Sequence, residues 1–431
     1  MRVFLALIRG LKTSCGRRPA LNSATERAVC QPLSKALPRT LEEYNKLSVT
    51  PPLQEGKLVK VAVIGEPNVG KSTIINRLIA TDVCPVSKKV HTTRTAVRVS
   101  MTAGQLQMVL LDTPGAVGIY HARRHHLPRT MVEAPSKALE SCIDVLAVVV
   151  DASDHWRRNF LSVEISELLG KHRNETPHAC SILILNKACI HYFTLRVDRL
   201  KSKRQLLQSI DSLCEGIVDG TITRVNKIMS KQTTLKTVIW QKEESRRECE
   251  HSSRKASSHK KVEPPDPGTY KPEFPPRYAS WPHFSRVFMV SATQNDGIDD
   301  LRSFLNERSR PGRWECWPEL IYKQKPKELV QDIARERLLD NLSEEIPYEV
   351  KPYVTYWTLD ESGCVLHIHM SIECINERQV RAVLGPGGRT IRRITEQLRQ
   401  RLCDIFHCEI ALKVGTLNRK AKPKTTALYG G

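Results

Sequence analysis

The stretch that decides the fold reads Leu58-Val59-Lys60-Val61-Ala62-Val63-Ile64, then Gly65-Glu66-Pro67-Asn68-Val69-Gly70-Lys71-Ser72. The first part is a β-branched apolar run of strand length. Behind the glycine-rich part, Thr73-Ile74-Ile75-Asn76-Arg77-Leu78 carries a helical pattern. This is G-x-x-x-x-G-K-[ST] in the strand–loop–helix setting it requires. Gly65 and Gly70 let the backbone curl until successive N–H groups face a β-phosphate, and the helix N-terminus adds its partial positive charge. Lys71 is placed to bridge β- and γ-phosphates, and Ser72 to offer a hydroxyl to Mg²⁺. The loop alone does not separate GTPases from ATPases or kinases.

The segments that follow make that separation. Leu106–Leu111 is another apolar strand and runs into Asp112-Thr113-Pro114-Gly115. A carboxylate at a strand's carboxyl edge can hold Mg²⁺ through water, and the glycine N–H can meet a γ-phosphate. Upstream, His91-Thr92-Thr93-Arg94 precedes the alternating strand Thr95–Met101, and Thr93 is the better placed threonine to complete the Mg²⁺ shell of a nucleotide-sensitive switch. Val145–Val150 and Ile182–Leu185 read as buried strands, the second leading into Asn186-Lys187. Val287–Val290 leads into Ser291-Ala292, placed for a backbone N–H to reach guanine O6. Motifs in this order at strand ends predict a doubly wound α/β sheet with nucleotide along its carboxyl edge.

Taken together, GEPNVGKST, TTR, DTPG, NK and SA resemble the Era family of GTPases. The resemblance implies GTP and Mg²⁺ as cofactors, with Gly65 to Thr73, Asp112 to Gly115, Asn186, Lys187, Ser291 and Ala292 around the nucleotide. Ser72, Thr93 and Asp112 would hold the metal, while Lys71, Thr93 and Gly115 would serve hydrolysis. In that class an NKxD aspartate accepts from guanine N1 and N2, but here Cys189 stands at its position and lacks the paired acceptors. Deleting the nine residues Ala188 to Arg196 restores a continuous NKVD, so Asp198 is expected to be the base reader with an insertion looped out. The alternative is an altered loop with weakened guanine selectivity. The residue after DTPG is Ala116, which cannot orient water, and Asn68 resembles the asparagine that holds K⁺ in some relatives. Slow intrinsic turnover, accelerated by RNA, ribosome or K⁺, is therefore expected.

A second pattern begins after Arg313. Glu328–Leu342 is amphipathic, Val354–Thr358 is strand-like, and Leu366, Ile368, Met370 and Ile372 alternate with polar residues. Arg378–Leu384, Gly385-Pro386-Gly387-Gly388 and Arg389–Leu402 follow, then Ile410, Leu412 and Val414. The order α-β-β-α-α-β, with GxxG between the two later helices, is similar to the type II KH domain that ends Era proteins. Small residues let a single-stranded RNA backbone come close to a helix N-terminus. The expected RNA contacts are Gly385 to Gly388 with Arg381, Arg389, Arg392 and Arg393. Arg378, Arg399 and Arg401 extend the same basic face, with only Glu396 as counter-charge.

Composition agrees with a polyanionic partner: 67 Lys+Arg against 46 Asp+Glu leave 67 − 46 = +21. No apolar stretch approaches the ~18 residues that span a bilayer, which excludes a transmembrane protein. The 13 cysteines form no CxxC pair and read as reduced thiols, with no structural zinc site expected. Residues 1–25 carry Arg2, Arg9, Lys12, Arg17 and Arg18 but no acid, the make-up of a mitochondrial transit peptide.

The expected division is a leader over 1–42, a GTPase domain over 56–312 with an irregular insertion at about 225–280, a KH domain over 313–416 and a basic tail over 417–431. The resemblance implies binding near the 3′ end of small-subunit ribosomal RNA and assistance in subunit assembly. The leader would move this to the mitochondrial matrix, making mitochondrial small-subunit rRNA and the small ribosomal subunit the partners of a monomer, with peripheral inner-membrane contact permitted. The rival readings are an RNA-binding protein that has lost nucleotide binding through the split motif, and a P-loop ATPase or kinase.

Overall fold

The computed structural model describes residues 37–49, 55–87, 89, 93, 95–116, 129–139, 142–155, 157–188, 196–222, 279–343, 345–419 and 428–429. The leader before Leu37, the insertion at 223–278 and the tail lysines Lys420, Lys422 and Lys424 lie outside the described residues.

The decisive run becomes the inner part of β1 (Glu55–Gly65), whose residues from Val59 to Ile64, Lys60 apart, are fully buried. Buried on both faces, such a strand must be apolar throughout, which is why it reads as continuous and not alternating. β1 pairs in parallel with β3 (Leu106–Asp112) and β4 (Val145–Asp151). β4 continues to β5 (Cys180–Asn186) and β5 to β6 (Phe284–Met289), both in parallel. β2 (Val97–Ala103) closes the far edge antiparallel to β3, giving the order β2-β3-β1-β4-β5-β6. The registers Val63↔Asp112, Gly65↔Val149 and Asp151↔Asn186 bring the motif-bearing strand ends to one edge.

Helix α1 (Leu41–Val49) precedes the sheet, and α2 (Lys71–Ile79) follows the phosphate loop. α2 buries Ile74, Ile75, Leu78 and Ile79, roughly 1.5–3 kcal/mol for each side chain. The remaining helices of this domain are α3 (Arg129–Leu139), α4 (Val163–Glu175), α5 (Arg196–Cys214) and α6 (Ile298–Glu307). The strand β7 (Arg310–Arg313) then returns antiparallel to the start of β1.

The C-terminal unit runs α7 (Pro326–Asn341), β8 (Lys351–Leu359), β9 (Val365–Cys374), α8 (Glu377–Leu384), α9 (Arg389–Phe406) and β10 (Glu409–Asn418). The element order matches the one read from the sequence. Its sheet is ordered β8-β9-β10-β11, where β11 is Leu428–Tyr429 and β9 and β10 are parallel. Asn376 caps α8 by accepting from the Gln379 N–H at 2.9 Å. One buried cluster runs from Val61 and Ile74 through Val83, Cys84 and Tyr322 to Ile333, Leu366 and Ile394, so both domains share a core. No described helix is long and apolar enough to cross a membrane.

Two expected boundaries move. Residues 37–42, assigned to the leader, belong to the fold. Leu37 is 4% exposed, and Arg39 donates to the carbonyls of Gly363, Phe406 and His407 in the KH domain. Trp357 Nε1 answers by donating to the Arg39 carbonyl at 2.8 Å. The KH domain also starts later than 313. The Ser100 N–H donates to the Ile321 carbonyl, Gln107 Nε2 to that of Cys316, and buried Trp314 and Tyr322 pack on the GTPase sheet. In both cases long-range pairing decides the boundary.

Candidate nucleotide and RNA sites

The phosphate loop curls between β1 and α2 as its spacing demands. Gly70 holds a φ of 94°, and a Cβ there would stand 2.3 Å from Asn186 Nδ2, so only glycine fits. Val69, Gly70, Asn186 and Ala292 interlock. Asn186 Nδ2 donates to the Val69 carbonyl at 2.8 Å, and the Ala292 N–H donates to Asn186 Oδ1 at 3.2 Å. The asparagine therefore splints the phosphate loop to the Ser291-Ala292 turn by engaging the Ala292 N–H, one of the backbone donors of that turn.

Lys71 is 7% exposed and donates to the carbonyls of Gly65 and Glu66 at 3.0 and 2.8 Å. Burial lowers its pKa to about 8, opposed by the charges of Asp112 and Glu66. Ser72 Oγ donates to Asp112 Oδ2 at 2.6 Å and lies 3.3 Å from Thr93 Oγ1. Asp112 is buried, and its Oδ1 has no hydrogen-bond partner among the described residues. Burial raises its pKa to about 6, against the Ser72 hydrogen bond and the Lys71 charge. Two hydroxyls and a carboxylate with an unsatisfied buried oxygen form a hard-oxygen donor set of the kind Mg²⁺ takes. Ser72, Thr93 and Asp112 thus fit the ion.

Around this cluster lies a cavity of about 1020 Å³, and its lining includes Asn68, Lys71 to Thr73, Thr93, Gly115 and Lys187. Gly115 packs so closely that a Cβ would stand 2.6 Å from the Pro67 nitrogen. Thr113 also lines this cavity, and its hydroxyl donates to the Val63 carbonyl at 2.7 Å, holding the strand end. The side chain of Glu66 pairs with Arg157 at 3.2 Å. Lys187 adopts a φ of 60° and pairs with Asp151 at 2.5 Å. Residues 189–195 lie outside the described residues, as do His91, Thr92 and Arg94. Asp198 falls in the first turn of α5, and its side chain lies outside the described residues.

One member of this site escaped the sequence reading. Asn76 is 4% exposed on α2; its Nδ2 donates to the Cys84 carbonyl at 2.9 Å, and the Cys84 N–H donates to its Oδ1 at 2.8 Å. It anchors the root of the segment that reaches Thr93. The available signal was an amide among the apolar residues Ile74, Ile75 and Leu78.

The GxxG turn joins α8 to α9. Gly387 and Gly388 hold φ of 58° and 73°, and nothing lies within 4 Å of where a Cβ would stand on either. Arg389, Arg392 and Arg393 are exposed beside this opening, while Arg381 pairs with Glu377 at 3.2 Å on the surface. Arg399 pairs with Glu396 at 2.8 Å on the same surface. The expected basic face loses one member. Arg401 turns inward to Glu336 at 2.6 Å, a carboxylate the sequence did not place there.

A Walker-type loop, a hydroxyl–carboxylate metal set and a glycine-turn RNA module on one chain define a P-loop GTPase joined to a type II KH domain. The comparisons agree. A family described as 50S ribosome-binding GTPase matches residues 60–187, and the KH domain family matches 345–420. A Danio rerio protein named GTPase Era, mitochondrial, is 32% identical over 400 residues, covering 92% of this chain and 84% of the relative. Its Caenorhabditis elegans namesake is 27% identical, covering 86% and 91%. The fold also matches an Era crystal structure in complex with MgGDPNP and nucleotides 1506–1542 of 16S ribosomal RNA, with a TM-score of 0.56 at 20% identity over 84% of this chain and 95% of that one. The chain belongs to the Era family of GTPases. The ATPase or kinase reading accordingly falls away.

Proposed function

We propose that this GTPase binds mitochondrial small-subunit rRNA near its 3′ end and assists assembly of the small ribosomal subunit. The observation that carries this reading is the open Gly387-Gly388 turn flanked by exposed Arg389, Arg392 and Arg393. Phosphates meet the arginines while unpaired bases lie along the neighbouring groove. At the other end Lys71 lies against the phosphate loop, and Ser72, Thr93 and Asp112 would hold Mg²⁺, which would supply charge stabilisation for hydrolysis. Asp198 reads the base if the insertion from Ala188 to Arg196 is looped out, and Asn68 is the side chain offered to K⁺. The acid-free leader directs the chain to the matrix, where it works as a monomer and its basic surface allows peripheral contact with the inner membrane.

Crosslinking in cells followed by sequencing of the bound RNA tests this, with GTP binding measured on the same preparation. The expected result is reads concentrated at the 3′ end of the mitochondrial small-subunit rRNA. Reads spread over cytosolic transcripts would overturn the proposal.

A further inference from the structure

The inward turn of Arg401 has a functional partner. Its Nη2 donates to the backbone carbonyls of Asp82 and Cys84, each at 3.3 Å, while Nη1 is held by Glu336 at 2.6 Å. Asp82 and Cys84 root the segment that ends at Thr93, whose hydroxyl stands 3.3 Å from the metal-site Ser72. Further along that segment, Ser87 Oγ donates to Asp340 at 2.7 Å and Lys89 Nζ to the Leu342 carbonyl at 2.6 Å. The KH domain therefore grips the segment at its root and at its middle. It also walls the nucleotide cavity, through Arg337, Asp340 and Asn341 on α7 and Gln397 on α9.

We infer that Arg401 is a positioning residue for GTP hydrolysis, holding the root of this segment so that Thr93 stands over Ser72, and that RNA bound at the GxxG turn sets the rate through it. The inference rests on the RNA-binding reading above. The geometry that supports it is a single helix. Arg389, Arg392 and Arg393 face solvent at the start of α9, and Arg401 lies on the same rigid rod, twelve residues or roughly 18 Å beyond Arg389. Arg393, Gln397 and Arg401 succeed one another at helical spacing: RNA face, cavity wall, latch. α9 thus touches the root of the segment directly, with no element between the arginines beside the GxxG turn and the latch.

Burial of the latch carries its own sign of purpose. Glu336 is 2% exposed, and its Oε2, together with Nε of Arg337 and of Arg401, lacks a hydrogen-bond partner among the described residues. Well-packed apolar side chains would hold two domains together at least as well as such a charged group. What they would lack is a guanidinium whose Nη1 holds Glu336 while its Nη2 holds two carbonyls, a planar two-nitrogen reach that a lysine also lacks.

The test uses the full chain with Arg401→Lys, which keeps the charge beside Glu336 and loses the fork. Single-turnover GTP hydrolysis is read with and without an RNA of the small-subunit 3′ end, alongside GDP affinity, RNA affinity and melting temperature. The expected result is hydrolysis slowed about tenfold, the size of one well-placed charge-assisted hydrogen bond, and no longer responsive to RNA, with GDP and RNA affinities at parental values. Glu336→Leu combined with Arg401→Met refills the site without charge and should show the same kinetic loss in a stably folded chain. Parental rate and RNA response in both variants overturn the inference. So does a loss of GDP affinity in step with melting temperature, which marks a merely structural role. A parent that binds no RNA removes the reading beneath it, and that failure is visible before any variant is made.

Discussion

Ser72 Oγ and Asp112 Oδ2 stand 2.6 Å apart across the end of the sheet, forty residues distant in sequence, and leave Asp112 Oδ1 buried without a partner among the described residues. A hydroxyl and a carboxylate so arranged are oxygen donors of the kind Mg²⁺ takes. Ser72→Ala removes one oxygen of the set and leaves the phosphate loop backbone intact. GTP affinity in the presence of Mg²⁺ should fall about tenfold or more, while affinity in EDTA stays near the parental value. Fluorescent-nucleotide titration under both conditions checks this.

On the proposal that Asp198 reads the base, guanine selection should depend on how closely that carboxylate follows Asn186-Lys187. Deleting residues 188–196 should place Asp198 directly after the NK turn and Val197. GTP should then be preferred over ATP and XTP by a wider margin than in the parent, by roughly tenfold if a buried paired acceptor is regained. Competition titrations with the three nucleotides measure it. Unchanged ratios would show that the base is read without Asp198.

At the other end, Gly387 is open to solvent and already sits in the left-handed region, which aspartate tolerates better than most residues. Gly387→Asp therefore leaves the turn folded and places a negative charge where RNA phosphate approaches. RNA affinity should drop at least about tenfold at physiological salt, and GTP binding should not change. Filter binding across a salt series distinguishes the lost phosphate contact from unfolding.

Arg39 ties residues 37–39 to the end of α9 and to the β8–β9 turn through three carbonyls. Positive charge at a helix C-terminus is favoured, and charge-assisted hydrogen bonds are among the stronger ones. Arg39→Ala should lower stability by about 2 kcal/mol, read as an earlier urea midpoint for the KH domain. By the same reasoning, N-terminal sequencing of the mature protein should find a start at or before Leu37.

Burial pushes Glu336 up to about 7, against the opposing charges of Arg401 and Arg337. Its folded pKa lies above the unfolded value, so the folded chain holds the proton more tightly. The stabilising contribution is complete below about pH 4.5 and is lost as pH rises to about 7. Glu336→Gln does not titrate. The melting temperature of the parent relative to this variant should therefore decline across that interval, and a flat difference would count against the raised pKa.

What the amino-acid sequence determined by itself is everything that local chemistry dictates. Gly70 needs a left-handed φ and close approach to Asn186, Lys71 and Ser72 must follow it, and the inner part of β1, Val61 to Ile64, must be apolar because both its faces are covered. The KH order was equally legible, because its helices and strands keep distinct periods and its glycine turn falls between two helices.

The tertiary structure alone decided the direction of Arg401, which in the linear text is one of seven arginines near the GxxG turn and in space is paired with Glu336 at 2.6 Å. It also decided that Leu37 and Arg39 belong to the fold, and that helix α7 closes the nucleotide cavity. The physical reason is common to all three. A motif is a constraint between neighbours in sequence. A buried ion pair, a strap and a domain junction are constraints between segments tens to hundreds of residues apart, and they exist only once the chain has chosen which faces to bury.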